Sequence, residues 1–175
     1  MKGFNKDVGV KVKKATRVFK IGLLLGVASL TASAALANGD ATISAATCRH
    51  SDTRFNCVEY VDNYDGDTLT FNIPKVHPLL GHHAKIRIAG INTAEMRSLD
   101  PCERDIAYRA QMLVQTELTK AKRIDLVDVG RGKYFRVLAD VIYDGNKSLG
   151  DLLLRRKLGF RYDGGTKPVI DWCSL

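Results

Sequence analysis

Short stretches of alternating apolar and polar residues, broken by one long helical pattern, limit this chain more than any other feature. Leu69, Phe71 and Ile73 alternate with Thr68, Thr70 and Asn72, the period-two pattern of a half-buried strand. Val58, Tyr60 and Val61 precede it, with Asn63-Tyr64-Asp65-Gly66 between them as a tight reversal. Pro74 to His83 reads as a loop, and Ile86 and Ile88 then alternate with Lys85 and Arg87. Asp100-Pro101-Cys102-Glu103 offers a capping carboxylate, a proline at the first helical position and an early acid. Ile106, Ala110, Leu113, Val114, Leu118 and Ala121 follow at spacings of three and four, one apolar face of a helix. Ile124 to Val129 and Val137 to Tyr143 read as two further strands across the polar break Gly130 to Lys133. Asp144-Gly145 turns the chain into a short helix capped by Ser148 and ending near Gly159. Five short strands with a helix between the third and fourth match an α+β domain built on a five-stranded Greek-key barrel of the OB type, with two main helices.

The ends read differently. Within residues 1–37, Lys2, Lys6, Lys11, Lys13, Lys14, Arg17 and Lys20 precede the apolar run Ile21 to Leu30, and Ala35-Leu36-Ala37 supplies small residues. This is the pattern of a secretory signal cleaved before Asn38, with an uncleaved anchor as the alternative. Residues 38–54 read as a loose leader, 55–163 as the folded domain and 164–175 as a tail. Seven of the 27 basic residues and one of the 19 acidic ones lie within 1–37, so a mature chain carries a net charge of only +2. Composition therefore does not argue for a polyanion partner, and any such argument must rest on placed residues. No apolar run reaches the roughly 18 residues of a confident membrane span. Export and an even number of cysteines (Cys48, Cys57, Cys102, Cys173) suit two disulfides in a periplasmic or secreted protein, with all three pairings open.

Several residues are candidates for chemistry. Asp65-Gly66-Asp67-Thr68 places two carboxylates on a tight loop, suited to a hard cation as well as to a turn. Arg87 alternates with apolar neighbours and so faces away from the core. Asn92-Thr93-Ala94-Glu95 leaves the same strand as a short polar segment, a common place for functional groups. Lys133-Tyr134-Phe135-Arg136 opens the fifth strand and interleaves cations with aromatic rings, which suits a phosphate and a stacked base. His77, His82 and His83 cluster in a loop without the spacing of a metal set.

Taken together, these motifs resemble the staphylococcal nuclease (thermonuclease) family. The resemblance rests on Asp65-Gly66-Asp67-Thr68, on Arg87 eight residues before Glu95, and on Lys133-Tyr134-x-Arg136 before a strand ending in Tyr143-Asp144-Gly145. It runs from about Val58 to Tyr162. It implies a monomeric calcium-dependent hydrolase of phosphodiester bonds, acting on DNA and RNA and preferring single strands. Asp67, Asn92 and the Thr93 carbonyl fall on positions that ligate calcium. Arg87 and Arg136 fall on arginines that hold the scissile phosphate, and Glu95 on the carboxylate often described as the general base. Lys133, Tyr134 and Tyr162 fall near contacts to a nucleotide.

The chain departs from that pattern in three places. Asn92 stands where the family usually has Asp, which removes a charge from the cation site and should weaken it. Ala94 stands where Pro is usual, and the family's third helix is replaced by a tail ending in Trp172-Cys173. These departures sustain an alternative, a non-catalytic OB module that binds single-stranded nucleic acid.

Overall fold

The computed structural model describes residues 48–174. The expected signal segment, and the leader as far as residue 47, lie outside the described residues. No helix among the described residues is long and apolar enough to cross a membrane.

The domain is mixed α+β. Strands β1 (Arg54–Phe55), β2 (Glu59–Asn63), β3 (Thr68–Asn72), β4 (Ala84–Ile88), β6 (Ile124–Arg131) and β7 (Val137–Tyr143) form one sheet in the order β1-β6-β7-β4-β3-β2, and β8 (Lys147–Ser148) pairs with β7. Strand β5 (Ile91–Thr93) leaves that sheet and pairs with β9 (Gly159–Arg161). The helices are α1 (Pro78–Gly81), α2 (Pro101–Lys120) and α3 (Leu149–Arg155). The five long strands and two main helices sit where the sequence pattern puts them. The sheet differs from expectation in being an open path, because its end strands β1 and β2 do not pair, and in having two additional short strands, β1 and β8, while β5 and β9 add a separate two-stranded sheet. The Pro74–His83 loop contains α1, a single turn entered at His77, whose Nδ1 accepts from Leu79 N–H at 3.2 Å.

The local chemistry explains these elements. In β3, Leu69 and Phe71 are fully buried while Thr68, Thr70 and Asn72 are half-exposed. Replacing Phe71 by Ala would cost about 3–5 kcal/mol, the usual loss for a buried aromatic. Helix α2 starts at Asp100, whose side chain accepts from Cys102 N–H at 2.9 Å. Its buried residues Ile106, Ala110, Val114 and Leu118 recur every four positions, one stripe against the core. Ser148 caps α3 by accepting from Asp151 N–H at 3.2 Å.

Strands β4 and β7 run parallel, with Ile86 opposite Val137 and Arg87 opposite Leu138, whereas the other paired strands are antiparallel. Two disulfides tie the ends. Cys48–Cys57 fixes the segment before β2, so residues 48–54 are held at the edge of the sheet, and Cys102–Cys173 fastens the tail to the first turn of α2. Trp172, beside that bond, is buried against Phe160. Two disulfides are features of an oxidising compartment, extracellular or periplasmic.

Candidate functional site

The turn between β2 and β3 sets the geometry. Asp65 Oδ1 accepts from Asp67 N–H at 2.9 Å and from Thr68 N–H at 2.7 Å, a side-chain-closed turn. Gly66 is required by space: a Cβ there would stand 2.7 Å from both Ala110 Cβ and Thr93 Cγ2. The turn therefore aims the Asp67 carboxylate inward, where it is only 1% exposed. Asp67 accepts from Thr93 N–H at 2.9 Å, from the Thr68 hydroxyl at 3.2 Å and from the Arg87 guanidinium. Burial pushes the Asp67 carboxyl up to about 6, nearby Asp65 adds to this, and Arg87 and the Thr93 N–H oppose it.

Arg87 spans the two side chains expected to ligate a cation. One nitrogen meets Asp67, and Nη2 donates to Asn92 Oδ1 at 2.8 Å. Asn92 Nδ2 in turn donates to the Thr93 carbonyl at 2.9 Å. Asn92 and Thr93 are buried because β5 pairs with β9, where Gly159 lies opposite Thr93 and a Cβ would come within 2.9 Å of Asn92 O. The donor set of Asp67, Asn92 Oδ1 and Thr93 O is all oxygen, the chemistry a hard dication takes. The guanidinium between Asp67 and Asn92 shows that this position accommodates positive charge, so the donor set fits a hard dication that would have to displace Arg87. Among the described residues, the group of three conventional metal-binding side chains is Asp100, Cys102 and Cys173, and its sulfurs are already joined as a disulfide.

A cleft of about 920 Å³ opens in front of this cluster. Arg87, Glu95 and Arg136 all line it, as do Asp67, Thr93, Lys133, Tyr134 and Tyr162. Eight of the nine residues singled out from the sequence thus share one cavity, and the ninth, Asn92, is bonded to Arg87 behind it. Arg136 reaches the cleft because of the parallel β4/β7 pair, which places the start of β7 beside the Arg87 end of β4. No carboxylate among the described residues pairs with Arg136; its guanidinium lies 5.9 Å from the Tyr134 ring centre.

Lys133 and Tyr134 differ from expectation. They do not open β7 but lie in a 3₁₀ turn, Lys133–Phe135, with Tyr134 and Phe135 both left-handed and exposed. Without a glycine at either position, the sequence carried no mark of that backbone. Glu95 is exposed at the rim, and its Oε1 accepts from Lys167 Nζ at 2.7 Å. Sequence reasoning missed Lys167, Arg131 and Lys85 as cleft residues. Lys85 was legible, since it lies two positions before Arg87 on the same strand face. Lys167 sits in an irregular tail with no pattern to mark it. Six cationic side chains line the cleft against four acidic ones, so an anion meets a net positive wall although residues 38–175 as a whole are nearly neutral.

Comparison of the sequence with protein-family models gives no match, and comparison with curated proteins gives none either.

Proposed function

We propose that this chain is an exported calcium-dependent nuclease of the staphylococcal nuclease type, a monomeric endonuclease that hydrolyses phosphodiester bonds of DNA and RNA and prefers single strands. The observation that carries the reading is the meeting of Arg87, Glu95 and Arg136, remote in sequence, in one cleft beside the buried Asp67. An OB-type barrel is the fold we assign to it. What supports it is that the sheet's end strands β1 and β2 are separated only by residues 56–58, and that Val58 N–H, just before β2, donates to Ile124 O at the start of β6 at 2.9 Å. Removal of residues 1–37 would release the domain, and its disulfides suit the compartment beyond.

Asp67, Asn92 and the Thr93 carbonyl would hold the calcium ion, which would supply Lewis-acid polarisation of a phosphate oxygen. The remaining work falls to side chains. Attack of water on a phosphodiester builds negative charge on the non-bridging oxygens. Arg136 and Arg87 suit that charge because guanidinium stays protonated and donates in pairs. Arg87, paired with Asp67 and Asn92 in this structure, would be free to turn to the phosphate if those two side chains held the cation. Glu95 orients the attacking water and accepts its proton. Lys133 and Tyr162 hold a flanking phosphate, and exposed Tyr134 offers a ring for an unpaired base. Donors fixed where charge develops are commonly the largest catalytic contribution, about 10²–10³ in rate for each one removed.

One observation favours a second reading, a module that binds single-stranded nucleic acid without cutting it: Arg87 neutralises Asp67 by a direct ion pair. Digestion of denatured DNA and of RNA by the mature, oxidised protein, with and without chelator, separates the two. Cutting abolished by chelator is expected. Equal cutting in both removes calcium from the mechanism, and binding without cutting selects the module.

A further inference from the structure

We infer that Asp163–Lys167 is an autoinhibitory strap, seated on the groups that must receive a nucleic-acid strand and displaced when one binds. The inference rests on the roles proposed above for Glu95, Lys133 and Tyr162. Each of the three is engaged by this short segment. Lys167 Nζ lies 2.7 Å from Glu95 Oε1, Lys133 Nζ donates to Gly164 O at 2.6 Å, and Tyr162 O–H donates to Gly165 O at 2.8 Å. The two carbonyl oxygens thus occupy donors that a phosphate oxygen would use, and the ammonium covers one oxygen of the carboxylate that would act on water.

The segment is tethered at both ends and open between them. On one side Tyr162 N–H donates to Gly90 O at 2.9 Å, directly after β9. On the other, buried Trp172 and the Cys102–Cys173 bond hold the tail to α2. Between these anchors Gly164 is left-handed (φ 92°), and a Cβ placed on it would meet no atom within 4 Å. The strap's contacts are solvent-exposed, and an exposed ion pair contributes a factor of about five at most. It is therefore weak enough for a strand to displace and strong enough to raise the concentration needed.

The test is Lys167→Met in the full mature, oxidised chain, with a fluorescent single-stranded oligonucleotide as the probe. Affinity is read by anisotropy in chelator, where nothing is cut, and KM and kcat are read with calcium. The strap predicts binding tightened about threefold, with KM lowered in the same proportion. Loss of a cation that merely contacts phosphate has the opposite sign: binding weakens and the salt dependence falls by about one unit of slope. Weakened or unchanged binding, or no oligonucleotide binding by either protein, overturns the strap. Because the binding arm needs no cleavage, tighter binding by a protein that never cuts would preserve the strap and refute only the nuclease reading. A second variant, Cys102→Ser with Cys173→Ser, frees the far anchor. If it folds, it should also bind more tightly, and weaker binding by a folded variant counts against the proposal.

Discussion

The two disulfides should differ widely in what they contribute to stability, and the difference follows from the loops they close. Cys48–Cys57 has a sequence separation of 9, whereas Cys102–Cys173 has one of 71. In the chain-entropy description the unfolded state loses about 2.1 + 1.5R ln n cal/mol/K on cross-linking, which gives about 2.6 kcal/mol for the short loop and about 4.4 kcal/mol for the long one at 25 °C. The constant cancels in the comparison, leaving a gap of about 1.8 kcal/mol that depends on the two separations alone. The native side should widen it, because Cys173 adjoins buried Trp172 and holds the tail against α2. Paired Cys→Ser variants of each bond, unfolded in urea and followed by tryptophan fluorescence and circular dichroism, measure both losses. The long-loop variant should also show the larger rise in m, since its unfolded chain expands more. An equal or greater loss on removing Cys48–Cys57 would refute the entropic reasoning and show that the short loop anchors β1 enthalpically.

Three further outcomes are expected. Arg87→Ala and Arg136→Ala should each lower kcat by about 10² or more on denatured DNA, with lysine a poor substitute at both because it lacks paired donors; losses under threefold for both would place the phosphate elsewhere. Asn92→Asp should tighten calcium binding by about tenfold, since carboxylate count tunes such sites; calorimetry showing no gain would put residue 92 outside the coordination sphere. Gly66→Ala should destabilise the domain by about 1–3 kcal/mol through overpacking, with Ala110→Gly recovering part of it; unchanged urea midpoints would mean the turn can shift away from α2.

The strands that carry the fold were legible where burial alternates. Leu69, Phe71, Ile86 and Ile88 are all buried, and the cap at Asp100 starts α2 as its side chain predicts. Strands β1, β5 and β9 were not legible, because two or three residues are too short for a period to register. That gap mattered for the site: Asn92 and Thr93 read as polar loop residues, yet pairing with β9 buries them beside Asp67. The convergence of Arg87 with Arg136 depends on a parallel pair, and strand order and direction are not written in local alternation. Left-handed Tyr134 and Phe135 were hidden for another reason, since aromatic residues rarely adopt that backbone and nothing beside them announces it.

The single parallel pair has a consequence for biogenesis. Arg87 lies in β4 and Arg136 immediately precedes β7, so the two residues come to line one cleft only after the last long strand docks beside one laid down some fifty residues earlier. Such non-local pairing forms late, after a long loop has closed. Until β7 docks, a folding chain therefore presents Arg87 without Arg136 alongside. On the activity proposed here, competence to grip a phosphate from both sides would arrive only with this late step, however early β2 to β4 form.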